Sequence, residues 1–208
     1  MRTKKTPAVR ETPTFIEAAR RAQIIQAATE TIAELGFINA SLSQIAKRAG
    51  ISKGVIGYYF PSKDDLVRAV VDNFYLTGHE EMMAEVSQAT TPTEMLRLYI
   101  LHNIAYIDRN RLATKAMSDI IDNFRQSDGQ HAYKPEDAEP IVLGTAALFT
   151  WGQEAGEFRP HNARVMAVTL RSAIDTFASE LARDPSLDVA AYTAELQELF
   201  LHAVQPAQ

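Results

Sequence analysis

The sequence predicts an all-α protein of about nine helices, and three observations carry that prediction. Apolar residues recur at i, i+3, i+4 and i+7 over most of the chain. Caps, prolines and glycines mark helix starts and stops at the right offsets. No segment alternates apolar and polar residues over the length of a strand. With 208 residues, 46% hydrophobic and 23% charged, the chain can bury a substantial core.

Residues 1–14 hold Pro7 and Pro13 among scattered basic residues without periodicity, and read as a flexible basic tail. Ile24, Ile25, Ala28, Ile32 and Leu35 make one face of a first helix, which Gly36 stops. Leu42, Ile45, Ala46 and Ala49 repeat the pattern over a short second helix. Its start is a capping box of Ser41 and Gln44, and Gly50 closes it. A third short helix runs from about Lys53 to Tyr59 and ends before Pro61. Ser62 then caps a long fourth helix reaching about Ser87, with Asp64 and Asp65 in its first turn.

Thr91-Pro92-Thr93-Glu94 opens the next helical region. Residues 93–126 form one or two helices, dividing near Asn110. Residues 128–140, rich in Gly, Pro and acids, read as a loop before a helix that reaches about Gly156. In the last two helices the apolar residues step by three and four: Ala167, Leu170, Ile174, Phe177 and Leu181, then Val189, Tyr192, Leu196, Leu199 and Ala203. Such seams occur in helix bundles and coiled coils. They pack inside one chain or between two, and the sequence alone allows both.

Charge is unevenly distributed. The net value is −5, yet residues 1–63 carry ten Lys or Arg against four Glu, while the remainder carries eleven against twenty-two acids. A basic module joined to an acidic one is the electrostatic footprint expected of nucleic-acid binding. The absence of cysteine excludes disulfides and thiolate chemistry. His79, His102, His131, His161 and His202 include no i, i+4 pair, and no HExxH, P-loop, GxGxxG or GxSxG pattern occurs. Asp119 and Asp122 form only an ordinary acidic pair. No catalytic residue, metal or cofactor is therefore expected. No apolar run spans a membrane or follows the basic start as in a secretory signal, so a cytoplasmic protein is expected.

The segment SLSQIAKRAGISKGVIGYYFPSKDDL, residues 41–66, reads as a helix-turn-helix. One short helix braces a second across a tight turn, so that the second can lie in the major groove. Ile45, Ile51, Ile56 and Phe60 would form the shared core. Ser43, Ser52, Lys53, Val55 and Tyr58 remain to face DNA.

Residues 41–50, the run Ile51-Ser52-Lys53-Gly54, Tyr58-Tyr59-Phe60 and Ser62 to Leu66 strongly resemble the TetR family of transcriptional regulators. The preceding helix, with Ile24, Ala27, Ala28 and Gly36-Phe37, fits too. The resemblance covers about residues 18–70; beyond them only Gly156-Glu157-Phe158-Arg159 looks similar. It implies that Ser41 and Lys63 contact phosphates, that Tyr58 and Tyr59 lie against the backbone, and that Ser43 and Lys53 reach base edges. Phosphate contacts set register and base contacts select sequence. Gly54 would allow close approach. Gly57 departs from the family, which commonly has an aromatic there that touches bases, so base reading rests more on Lys53, Val55 and Ser43 or on DNA shape.

The resemblance further implies a three-helix DNA-binding domain at residues 15–61 and a larger helical effector-binding and dimerisation domain at 62–208. The implied function is a ligand-responsive regulator, a repressor that binds a palindromic operator in double-stranded DNA as a homodimer and is released by a small-molecule effector. Tyr99, His102, Asn103, Tyr106, Met117, Ile121, Phe124, Phe149 and Trp151 are candidates for the effector pocket, mixing aromatic bulk with a few polar groups. Leu170, Ile174, Phe177, Leu181, Tyr192, Leu196 and Leu199 are candidates for the dimer interface. The rival readings are a constitutive DNA-binding protein or activator without a ligand, an enzyme, and a protein-binding adaptor.

Overall fold

Thr14 opens the first helix by a reciprocal cap: its hydroxyl accepts from the Glu17 N–H, and the Glu17 carboxylate accepts from the Thr14 N–H at 2.8 Å. The computed structural model describes residues 14–206, so the expected basic tail, apart from Thr14, lies outside the described residues. Those residues form nine α-helices: α1 (Phe15–Leu35), α2 (Leu42–Arg48), α3 (Lys53–Tyr59), α4 (Lys63–Val86), α5 (Pro92–Arg109), α6 (Arg111–Asn123), α7 (Glu139–Glu154), α8 (Ala163–Arg183) and α9 (Val189–Val204). A single 3₁₀ turn, Pro135–Ala138, precedes α7. The only β pairing among the described residues is an isolated bridge between Arg125 and His131. The expected division near Asn110 is the junction of α5 and α6.

Two hydrophobic cores result. The first joins α1, α2, α3 and the first turns of α4, through Leu66, Val67, Val70 and Val71, to α6 and the loop after it, through Ala116, Met117, Ile120, Phe124 and Ala132. The first core thus runs across the division expected at 61/62, since the Leu66–Val71 stretch of α4 and residues of α6 share it with α1, α2 and α3. The second core is built from α5, α7, α8 and α9 around Ile100, Phe149, Phe177 and Phe200. Between Val71 and Val86, α4 contributes no fully buried side chain.

Most of the expected dimer residues are covered within the chain itself. Leu170, Ile174 and Phe177 are completely buried within the chain, Leu181 and Leu196 nearly so, and Tyr192 packs on the Phe177 ring at 5.0 Å. Their seam is filled by α5 and α7 of the same chain. Of the seven, only Leu199 stays largely exposed, at 63%.

The segment Gly156-Glu157-Phe158-Arg159 clasps three helices. Glu157 Oε2 accepts from the Thr93 N–H at 3.0 Å and its hydroxyl at 2.6 Å, holding the start of α5. Phe158 lies on Gly152 of α7, where an added Cβ would stand 1.9 Å from its ring. Arg159 donates through its backbone N–H to the Val204 carbonyl at 2.8 Å and through Nε to Ala203 at 2.7 Å, pinning the end of α9.

Candidate functional site

The α2–α3 unit is braced from behind by α1. Ile45 and Ile56 are fully buried, Phe60 nearly so, and Ile51 packs partly against them. Gly50 makes the turn at φ 66°, a left-handed conformation that a side chain disfavours. Gln23 of α1 donates to the Ala49 carbonyl at 2.8 Å and ties that turn down. With its apolar side inward, α3 exposes Ser52, Lys53, Gly54, Gly57 and Tyr58, while Val55 and Tyr59 are half-buried. Ser43 is exposed on α2. Tyr58 is 75% exposed, with its ring edge-on to Tyr59 at 5.1 Å. A Cβ at Gly57 would meet nothing within 4 Å, so this face of α3 is open.

Three successive serines start the helices of this unit. The hydroxyls of Ser41, Ser52 and Ser62 accept from the N–H groups of Gln44, Val55 and Asp65 at 3.3, 3.4 and 3.1 Å. The Ser41 proton is directed to Gln44 Oε1 at 2.7 Å. Arg48 is held by Glu30 and Glu34 of α1, while the exposed Lys47 and Lys53 have no ion-pair partner among the described residues.

Lys63, expected to contact phosphate, is also bonded within the chain. Its Nζ donates to the Phe37 carbonyl at 2.9 Å and lies 4.6 Å from the Phe37 ring centre. Burial holds its ammonium below the usual lysine value. The same turn is gripped from the other side by α6. Asp119 Oδ2 accepts from the Phe37 N–H at 2.5 Å, and Asn123 Nδ2 donates to Asp119 Oδ1 at 2.6 Å. The Phe37 and Phe124 rings meet at 5.5 Å. The α1–α2 turn is thus latched to α4 and α6 together.

A cavity of about 530 Å³ lies between the two cores, walled by α4, α5, α6, α7 and α8. This is within the range of small-molecule sites. Of the expected pocket residues, Tyr99, His102, Asn103, Tyr106, Met117 and Ile121 line it. Three do not. Phe124 belongs to the first core, Phe149 is completely buried in the second, and Trp151 packs against the second from outside. All three sit where a neighbouring helix already covers them. The residues that sequence reasoning missed include Phe74, Tyr75, Gly78, His79 and Met82 of α4, with Arg171 and Asp175 of α8. The unburied middle of α4 was the available signal.

The polar part of the wall is highly ordered. The Thr145 hydroxyl donates to the Ile141 carbonyl at 2.8 Å, so the Tyr99 hydroxyl, 2.8 Å from Thr145 Oγ1, must donate to it. Tyr99 Oη in turn accepts from Arg171 Nη1 at 3.2 Å. Arg171 Nη1 also donates to Asn103 Oδ1 at 2.9 Å, and Nη2 to Asp175 Oδ1 at 2.9 Å. Tyr106 Oη donates to the Phe74 carbonyl at 2.8 Å; burial pushes its pKa up to about 12, so it remains a donor at physiological pH. Thr114 is among the lining residues, with its Oγ1 buried and without a partner among the described residues. Among the described residues no group of three His, Asp or Glu is placed to hold a metal ion, and no helix is long and apolar enough to cross a membrane.

Comparison with known proteins gives the following. Residues 24–70 match the family model for bacterial regulatory proteins of the tetR family. The HTH-type transcriptional regulator BetI 1 of Chromohalobacter salexigens is 45% identical over 101 residues, covering 48% of this chain and 50% of that protein. The chain spans about half the length of the curated relatives it matches. Among solved structures, a transcriptional regulator from Saccharomonospora viridis in complex with choline superposes with a TM-score of 0.76 at 21% identity, covering 91% of this chain and 100% of that one. FadR from Bacillus subtilis in complex with stearoyl-CoA gives 0.74 at 24% identity, covering 88% and 99%. At these identities the structures share the fold. Residues 24–70 are thus similar to bacterial regulatory proteins of the tetR family, and the all-helical fold around them is shared with a solved TetR-like transcriptional regulator from Rhodococcus.

Proposed function

We propose that this protein is a ligand-responsive transcriptional repressor that binds a palindromic DNA site as a homodimer and is released by a small molecule held in the cavity. The observation that carries the reading is the double use of α6. Met117, Ser118 and Ile121 border the cavity, while Ala116, Ile120 and Phe124 are built into the first core and Asp119 grips the α1–α2 turn. A ligand that shifts α6 therefore shifts the frame on which α3 stands. The effect is a coupling free energy, since the ligand must prefer the conformation that DNA does not. A constitutive DNA-binding protein has no use for such a cavity joined to the headpiece.

In the dimer, the two α3 helices would enter successive major grooves about 34–36 Å apart. The surface available to a second copy is the outward side of α8 and α9, where Val165, Val168 and Leu199 stay exposed, with the small residues Ser172, Thr176 and Ser179 on the same side of α8. Two relatives of this fold were solved with choline and with stearoyl-CoA, which supports a small-molecule effector here without naming it.

The test is selection of bound fragments from genomic DNA, with a palindromic site as the expected product. Lys53→Ala should lower affinity for that site by about tenfold or more, the size of one lost base contact, and change non-specific binding far less. Equal loss on both would mean that Lys53 touches only phosphate. Val168→Glu combined with Leu199→Glu should give monomers in sedimentation; persistent dimers would place the interface elsewhere.

A further inference from the structure

We infer that the molecule taken by the cavity is an apolar carboxylic acid, whose carboxylate pairs with Arg171 in place of Asp175. The inference rests on the reading of the cavity as the effector site. The wall is largely aromatic and aliphatic, with Phe74, Tyr75, Met82 and Ile107 among its residues, so the body of the ligand is apolar. Into this wall α8 sets one guanidinium, with its side chain 15% exposed.

The guanidinium is positioned before any ligand arrives. Its Nη1 is held by two acceptors, Tyr99 Oη and Asn103 Oδ1. Each acceptor is itself fixed: Tyr99 through Thr145 to the Ile141 carbonyl, Asn103 by donating to the Tyr99 carbonyl at 2.8 Å. Arg171 Nε has no acceptor among the described residues, and Nη2 donates only to Asp175. The outward edge of the fork is thus free or loosely filled, in the geometry that binds a carboxylate through two parallel hydrogen bonds.

Asp175 is the occupant a ligand can replace. It is one turn along α8, and its side chain is 69% exposed, against 15% for Arg171. It can turn into solvent at little cost, while the ligand carboxylate keeps the buried guanidinium paired. An exchange of one carboxylate for another avoids the penalty of an unpaired buried charge.

A cationic ligand fares differently. The aromatic rings alone would suit a quaternary ammonium. Such a group beside Arg171 faces a like charge and offers the guanidinium no acceptor. A neutral alcohol of equal length fills the apolar part but leaves the Arg171–Asp175 pair unchanged.

The experiment is calorimetric titration of the full chain with decanoate, decanol and decyltrimethylammonium, followed by the same additions to a complex with its selected DNA fragment. Decanoate should bind at least tenfold tighter than decanol, and the ammonium weakest. Asp175→Asn should tighten decanoate binding several-fold, because a competing carboxylate is gone, and leave decanol unchanged. Arg171→Gln should erase the preference for the acid; Arg171→Lys, keeping the charge, should retain part of it if loss in the first variant is electrostatic. Equal binding of acid and alcohol, tighter binding of the ammonium, or no effect of Asp175→Asn would overturn the inference. Decanoate that binds as expected yet leaves DNA bound would instead overturn the effector reading and keep the ligand chemistry.

Discussion

The two cores solve the same packing problem with opposite materials. The first is rich in alanine: Ala27, Ala28, Ala33, Ala40, Ala46, Ala49, Ala69, Ala116 and Ala132 are all buried in it. The second relies on large side chains, with Phe149, Phe158, Phe177 and Phe200 at its centre and few buried alanines. Small residues let helix backbones approach closely, so α1, α2, α3 and α6 fix each other's positions within narrow tolerances. Aromatic residues hold helices further apart and fill the volume by interlocking rings. On the proposed reading, a headpiece that matches a DNA groove gains from the first arrangement. A domain that surrounds a cavity can use the second, and the cavity lies where the two meet.

Truncation, enlargement and removal of the latch each test one part of this contrast. Phe177→Ala should cost about 3–5 kcal/mol in chemical denaturation, as removal of a fully buried phenyl ring does. An effect near 1 kcal/mol would mean that the second core collapses easily and is not held by its rings. Next in size, Gly152→Ala should cost about 3 kcal/mol, because its methyl would overlap Phe158 and the clasp on α5 and α9 would shift. If its melting temperature matches the parent, the Phe158 ring has another place to go. The smallest effect expected is at the latch. Asp119→Ala should cost about 1.5 kcal/mol by removing a charge-assisted bond to the Phe37 N–H. It should also weaken the dependence of DNA binding on cavity ligands, and unchanged coupling would show that α6 transmits through packing alone.

Much of the first core was legible because its signals are local. Ser41 with Gln44, Gly50 and Ser62 with Asp65 each act within a few residues, and each forms as the spacing implies. The bond from Lys63 to the Phe37 carbonyl was not legible, because the two lie twenty-six residues apart. The seam of α8 and α9 was visible as periodicity, but periodicity cannot tell which chain covers it. Phe177 and Leu196 turned out to be covered by their own. The cavity was harder still. Tyr99, Asn103 and Tyr106 stood out by composition, whereas Arg171 looked like an ordinary charge on an amphipathic helix until Tyr99 and Asn103 were seen to hold it.

Tyr106 has a consequence for how α4 can move. In an α-helix the Phe74 carbonyl would bond the N–H of residue 78, which is glycine here, and the Tyr106 ring lies so close that a Cβ at Gly78 would sit 2.9 Å from it. Because Tyr106 Oη also donates to that carbonyl, a bend opened at this turn leaves the oxygen with a partner. A bend of α4 at this turn would therefore leave no carbonyl unpaired.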